Sequence, residues 1–176
     1  GPMTWTNESL PADAGVISLT NTCLEELIET AQLLEANPLP TVVLRPADFD
    51  MPACRDAMES VRRLLDEGVG FAVIDRLPVD ELEPETATRL YWLLGNMISK
   101  AVAQKWDGTM IYDVRDTGRE MTPGNGVRSS TTNAGQTFHT DNSFNLPPEY
   151  VALFCIRPAM EGGLSGVASF QPIYNQ

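Results

Sequence analysis

A change of residue pattern near position 100 constrains this 176-residue chain more than any other feature. Before it, apolar residues recur at the three- and four-residue spacing of helices that bury one face. Thr22 precedes Leu24, Leu27, Ile28, Ala31 and Leu34, and the pattern stops before Asn37-Pro38. A second helix is predicted from Cys54 to Glu67 through Ala57, Met58, Val61, Leu64 and Leu65, with Arg62 and Arg63 on the other face and Gly68 as C-cap. A third runs from Asp80 to Val102 through Leu90, Leu93, Leu94 and Ile98. Between them, Thr41 to Leu44 reads as an edge strand and Gly70 to Ile74 as a buried strand, while residues 3–20 read as a loose lead-in. Beyond position 100, Thr109 to Val114 and Tyr150 to Ile156 read as strands separated by stretches rich in Gly, Ser, Thr and Asn. Residues 115–133, with Thr122-Pro123-Gly124-Asn125-Gly126, read as a mobile loop over whatever site follows.

Charge and composition exclude several classes of partner. The formal net charge of -12 repels phosphate backbones and anionic headgroups, so neither nucleic acid nor a membrane is the expected partner. No apolar run reaches membrane-spanning length and no signal peptide is evident, which points to the cytoplasm. Gly1-Pro2 before Met3 looks like the scar of an expression tag. Cys23, Cys54 and Cys155 are odd in number and irregularly spaced, against a disulfide framework or a zinc knuckle. They read as reduced thiols, with Cys155 a small buried hydrophobe.

The chemistry concentrates in residues 136–144, where the chain's single histidine, His139, stands two residues before Asp141. Residues two apart on an extended segment share a side, so both can reach one ion. An imidazole and a carboxylate supply two ligands of a facial triad for non-haem Fe(II), which needs a second histidine. The same pair also fits a hydrogen-bonded structural histidine. A zinc hydrolase is a distant reading, since two ligands leave zinc under-coordinated.

The ordered series Arg128-Ser129-Ser130, Phe138-His139-Thr140-Asp141, Pro147-Pro148, the strand 150–156, Arg157-Pro158-Ala159 and Glu161-Gly162-Gly163-Leu164-Ser165 resembles the taurine catabolism dioxygenase family of Fe(II)/2-oxoglutarate-dependent oxygenases, which is clavaminate synthase-like. The resemblance runs from about residue 40 to the last residue. It implies an α+β, mainly β fold: a double-stranded β-helix, the cupin-like jelly roll, with N-terminal supporting helices and only its N-terminal half present. The implied organisation is a scar at 1–2, a lead-in and helix at 3–38, and the oxygenase portion at 39–176, truncated before the second ligand histidine.

By the same resemblance His139 and Asp141 are iron ligands, and Ser165 holds the distal carboxylate of 2-oxoglutarate. Without the resemblance, Ser165 reads as a turn hydroxyl bonded to its own backbone. Arg128, Asn133 and Phe138 are candidate substrate contacts. Phe138 walls a pocket or packs in a core, and Arg128 pairs with a substrate carboxylate, sulfonate or phosphonate or is a solvated loop arginine. Gly135 stands four before His139, where taurine-oxidising members carry asparagine, so taurine is not the expected substrate. The implied function is a cytoplasmic metal-binding oxidoreductase, a dioxygenase or hydroxylase releasing succinate and CO2 from 2-oxoglutarate while it oxidises a small molecule. This chain would be an incomplete part of it, inactive alone, with the missing C-terminal half as a second chain or the chain forming a homo-oligomer. The alternative is a non-catalytic jelly-roll subunit or binding module that has lost its metal site.

Overall fold

The structure, a computed structural model, describes residues 1–141 and 147–174. Asn142, Ser143 and Phe144 of the histidine motif lie outside the described residues, as do the last two residues of the expected oxygenase portion. The chain divides into two compact units, Gly1–Lys100 with Ala152–Gln176, and Ala101–Val151.

Three helices make the core of the first unit. Helix α1, Asn21–Ala36, starts at Thr20, whose hydroxyl accepts the Cys23 amide, and ends at Asn37, whose amide donates to the Leu33 carbonyl. Both ends thus satisfy backbone groups that a helix terminus leaves orphaned. Helix α2, Pro52–Asp66, opens on Pro52, whose missing amide hydrogen costs nothing in the first turn. Its N-cap, Met51, offers no side-chain acceptor. The acceptor comes from α1: the Glu26 carboxylate takes the amides of Ala53 and Cys54, each at 2.9 Å. Helix α3, Pro84–Ile98, is shorter than the predicted 80–102 because Val79–Glu81 form a separate 3-10 turn before Pro84, and Ser99 closes its end.

The helices meet through the periodic apolar residues. Leu27 and Leu34 of α1, Met58 and Val61 of α2, and Leu90, Leu93 and Leu94 of α3 are buried, as are Leu44 and Met51 from the connection. Arg89 is buried with them. It reaches Glu85 at 2.7 Å through one terminal nitrogen, while its Nε has no partner among the described residues.

The strand readings need correction. Thr41–Val43 is a 3-10 turn, not an edge strand, closed by the Val43 amide on the Pro40 carbonyl and anchored where Trp92 donates to the Leu44 carbonyl at 3.0 Å. The buried strand at 70–74 shrinks to β2, Val73–Ile74, whose Val73 is exposed. It pairs in parallel with β1, Val16–Ile17, inside the supposed lead-in. Gly15, at φ 74°, permits this approach, since a Cβ there would stand 2.7 Å from the Phe71 ring. Trp5 packs its ring edgewise on Phe71 and donates to the Val69 carbonyl.

The expected jelly roll is overturned. Among the described residues the single sheet is this two-stranded pair, and neither 109–114 nor 151–156 enters a ladder. A closed β-helix buries every second side chain of its strands, yet no described residue from 101 to 174 is buried. The expected core cysteine, Cys155, is exposed. A short helix α4, Phe170–Tyr174, is the last described element.

Candidate functional site

In the second unit a 3-10 turn at Ser129–Thr131 organises the approach to His139. The amides of Thr131 and Thr132 donate to the carbonyls of Arg128 and Ser129, and both threonine hydroxyls repeat these bonds. Arg115 and Thr117 donate their amides to the carbonyls of Ser130 and Thr131. Gln136 Nε2 reaches Ser129 Oγ at 2.7 Å, carrying the chain toward the motif.

His139 Nδ1 lies 2.8 Å from the Thr137 carbonyl oxygen. A carbonyl only accepts, so Nδ1 carries the hydrogen, and in the neutral ring the free lone pair sits on Nε2. That nitrogen is 3.5 Å from Asp141 Oδ1. Two electron-pair donors therefore face each other, an arrangement relieved by a proton or a cation between them. An imidazole N–H given to a backbone carbonyl is also how metal-bound histidines are commonly oriented. With bonds of about 2.1 Å, two ligands at a right angle stand about 3.0 Å apart, so this pair would need to close by about half an ångström.

The remaining predicted residues are dispersed. Phe138 is 77% exposed, so it does not pack in a core. Asn133 and Arg128 are exposed in the same unit, with Arg128 contributing its carbonyl to the 3-10 turn. Ser165 belongs to the first unit, exposed after Gly162 and Gly163, both at positive φ. Sequence reasoning missed Glu26, whose capping role depends on a helix 27 residues away. It also missed the meeting of Cys23 with Cys54, whose sulfurs are 2.9 Å apart.

Residues 35–176 match the taurine catabolism dioxygenase TauD, TfdA family, and the chain belongs to it. It is 30% identical over 111 residues to FR-33289 synthase from Streptomyces rubellomurinus, a match covering 63% of this chain and 31% of that protein. The chain thus spans about a third of the length of the curated relative it matches.

Family membership connects the chain with Fe(II)/2-oxoglutarate enzymes in general. The residues do not assemble that centre. Among the described residues no group of three or more His, Cys, Asp or Glu is placed to hold a metal ion. Among the described residues His139 and Asp141 are two donors without a third, and the described strands form no barrel. The expectations of a dioxygenase, of an enzyme and of a metal-binding jelly roll are therefore corrected for this chain, and the jelly-roll subunit offered as the alternative fails on the same sheet.

Proposed function

We propose that this chain is a helical scaffold within a TauD/TfdA-family protein, presenting His139 and Asp141 as a two-donor half-site to a further polypeptide that brings the remaining ligands. The orientation of the imidazole carries this reading: Nδ1 is committed to the Thr137 carbonyl, which turns Nε2 toward Asp141. Ferrous iron is the cation that the family favours, and 2-oxoglutarate the small acid. Arg128, Asn133 and Phe138 would be contacts for a small-molecule substrate, and Ser165, in the first unit, would by itself offer a hydroxyl to a carboxylate. The apolar side chains left outside support a docking role for the scaffold. Leu153 is 76% and Leu164 97% exposed, apolar side chains that a partner would cover. Residues 109–114 and 151–156 have strand-forming sequences without a ladder among the described residues, so a β-forming partner suits them.

Because the chain has one histidine, its imidazole resonances are a unique reporter. Adding Co(II) anaerobically to the full chain should shift and broaden them, with a dissociation constant on the order of a millimolar, equivalent to about -4 kcal/mol. Asp141→Asn should remove most of that response. An unperturbed imidazole at millimolar Co(II), or an equal response in Asp141→Asn, would refute the half-site.

A further inference from the structure

We infer that Cys23 and Cys54 form a reversible intrachain disulfide that staples the first turn of α1 to the first turn of α2. The sulfurs stand 2.9 Å apart although the residues are separated by 31 positions, and both cysteines are fully buried. Forming a bond brings the sulfurs together by about 0.9 Å. The adjoining backbone is held on both sides. Thr20 accepts the Cys23 amide, and Glu26, one turn further along α1, accepts the Cys54 amide. The Cys54 thiol also lies 3.3 Å from the Cys23 carbonyl.

The pair is chemically unequal. The hydrogen bond to Cys23, and then burial, push the Cys54 thiol well above the usual thiol range. Cys23 accepts that hydrogen bond and is drawn downward. The Cys54 thiol can direct its hydrogen to the Cys23 carbonyl, which leaves Cys23 placed to attack first and Cys54 to resolve. Both are third residues of their helices, where opening of a single turn exposes them.

The oxidant is a low-molecular-weight disulfide such as oxidised glutathione. The Cys23 thiolate attacks one of its sulfurs, forming a mixed disulfide and expelling one thiolate. Cys54 then loses its proton and attacks the Cys23 sulfur, expelling the second. Two protein thiols are oxidised by two electrons, the small disulfide is reduced to two thiols, and the two protons end on them.

The test uses the full chain carrying Cys155→Ser, which removes the exposed third thiol. It is equilibrated across mixtures of oxidised and reduced glutathione, quenched with acid, alkylated in denaturant and mapped by mass without reduction. The expected product is a peptide pair joined through Cys23 and Cys54 in oxidising mixtures and absent in reducing ones. The linked form should unfold about 7–15 °C higher, as expected for a loop of this length in a chain of this size. Adding Cys54→Ala should abolish both the link and the rise; if that variant does not fold, Cys23→Ser serves the same purpose. Recovery of both cysteines alkylated throughout, glutathione adducts without a link, or a thermal rise persisting without the second cysteine would overturn the inference.

Discussion

Replacing Glu26 by alanine tests how α2 is started. The Glu26 carboxylate accepts two amides at 2.9 Å, from Ala53 and Cys54, at a helix terminus whose own N-cap, Met51, supplies no acceptor. A hydrogen bond to a charged group contributes about 1.5–3 kcal/mol, and an anion at a helix N-terminus adds about 0.3–1 kcal/mol. Glu26 is half-buried, so water recovers part of the loss, and the expected cost is about 2–4 kcal/mol. With a urea slope of about 2 kcal/mol per molar, the midpoint should fall by about 1–2 M. Glu26→Gln sharpens the argument. Its amide oxygen accepts one of the two N–H groups while its NH2 faces the other, so most of the loss should remain although size is kept. Equilibrium urea unfolding followed by helical circular dichroism measures both variants. A cost below about 0.5 kcal/mol for Glu26→Ala, or a Glu26→Gln chain as stable as the parent, would refute the capping argument.

Leu93→Ala, at a fully buried position of α3, should cost about 3–5 kcal/mol, whereas Leu153→Ala, at a largely exposed one, should stay within about 0.5 kcal/mol. Equal effects in urea unfolding would contradict the placement of the core. Burial pushes the Tyr91 phenol, stacked at 5.1 Å on Phe154, above its usual range. The folded value then exceeds the unfolded one near 10, so this stabilisation is full below about pH 10 and is lost as pH rises through the raised value. From about pH 9 to about pH 11 the unfolding midpoint of the parent should fall more steeply than that of Tyr91→Phe, and equal slopes would refute the shift.

The three helices were legible because helical burial has a local period: Leu27, Leu34, Met58, Leu90 and Leu93 sit at the predicted spacings and are buried. Helix edges were less so, since Pro84 starts α3 only after a separate turn. Strands depend on partners that local sequence does not name. Thr41-Val42-Val43 carries strong strand propensity, yet follows Pro40 into a 3-10 turn. Val16–Ile17 looked shapeless and found a partner 57 residues away. The His139–Asp141 pair was readable because its geometry is set within three residues. Glu26 and the two facing cysteines were not, because irregular spacing along a chain conceals which helix faces come together. The family was legible from its ordered motifs, while the barrel expected from it was not present in the described residues.

The confinement of every buried residue to the first hundred positions, among those described, bears on how the chain samples its own unfolded states. Amide protons inside α1, α2 and α3 exchange with solvent only when the common core opens, so their exchange free energies should cluster near the stability of the bundle. Amides beyond residue 100 have no buried layer to hold them and should exchange through small local openings. Two tiers of protection follow, and the segment that carries His139 belongs to the lower one.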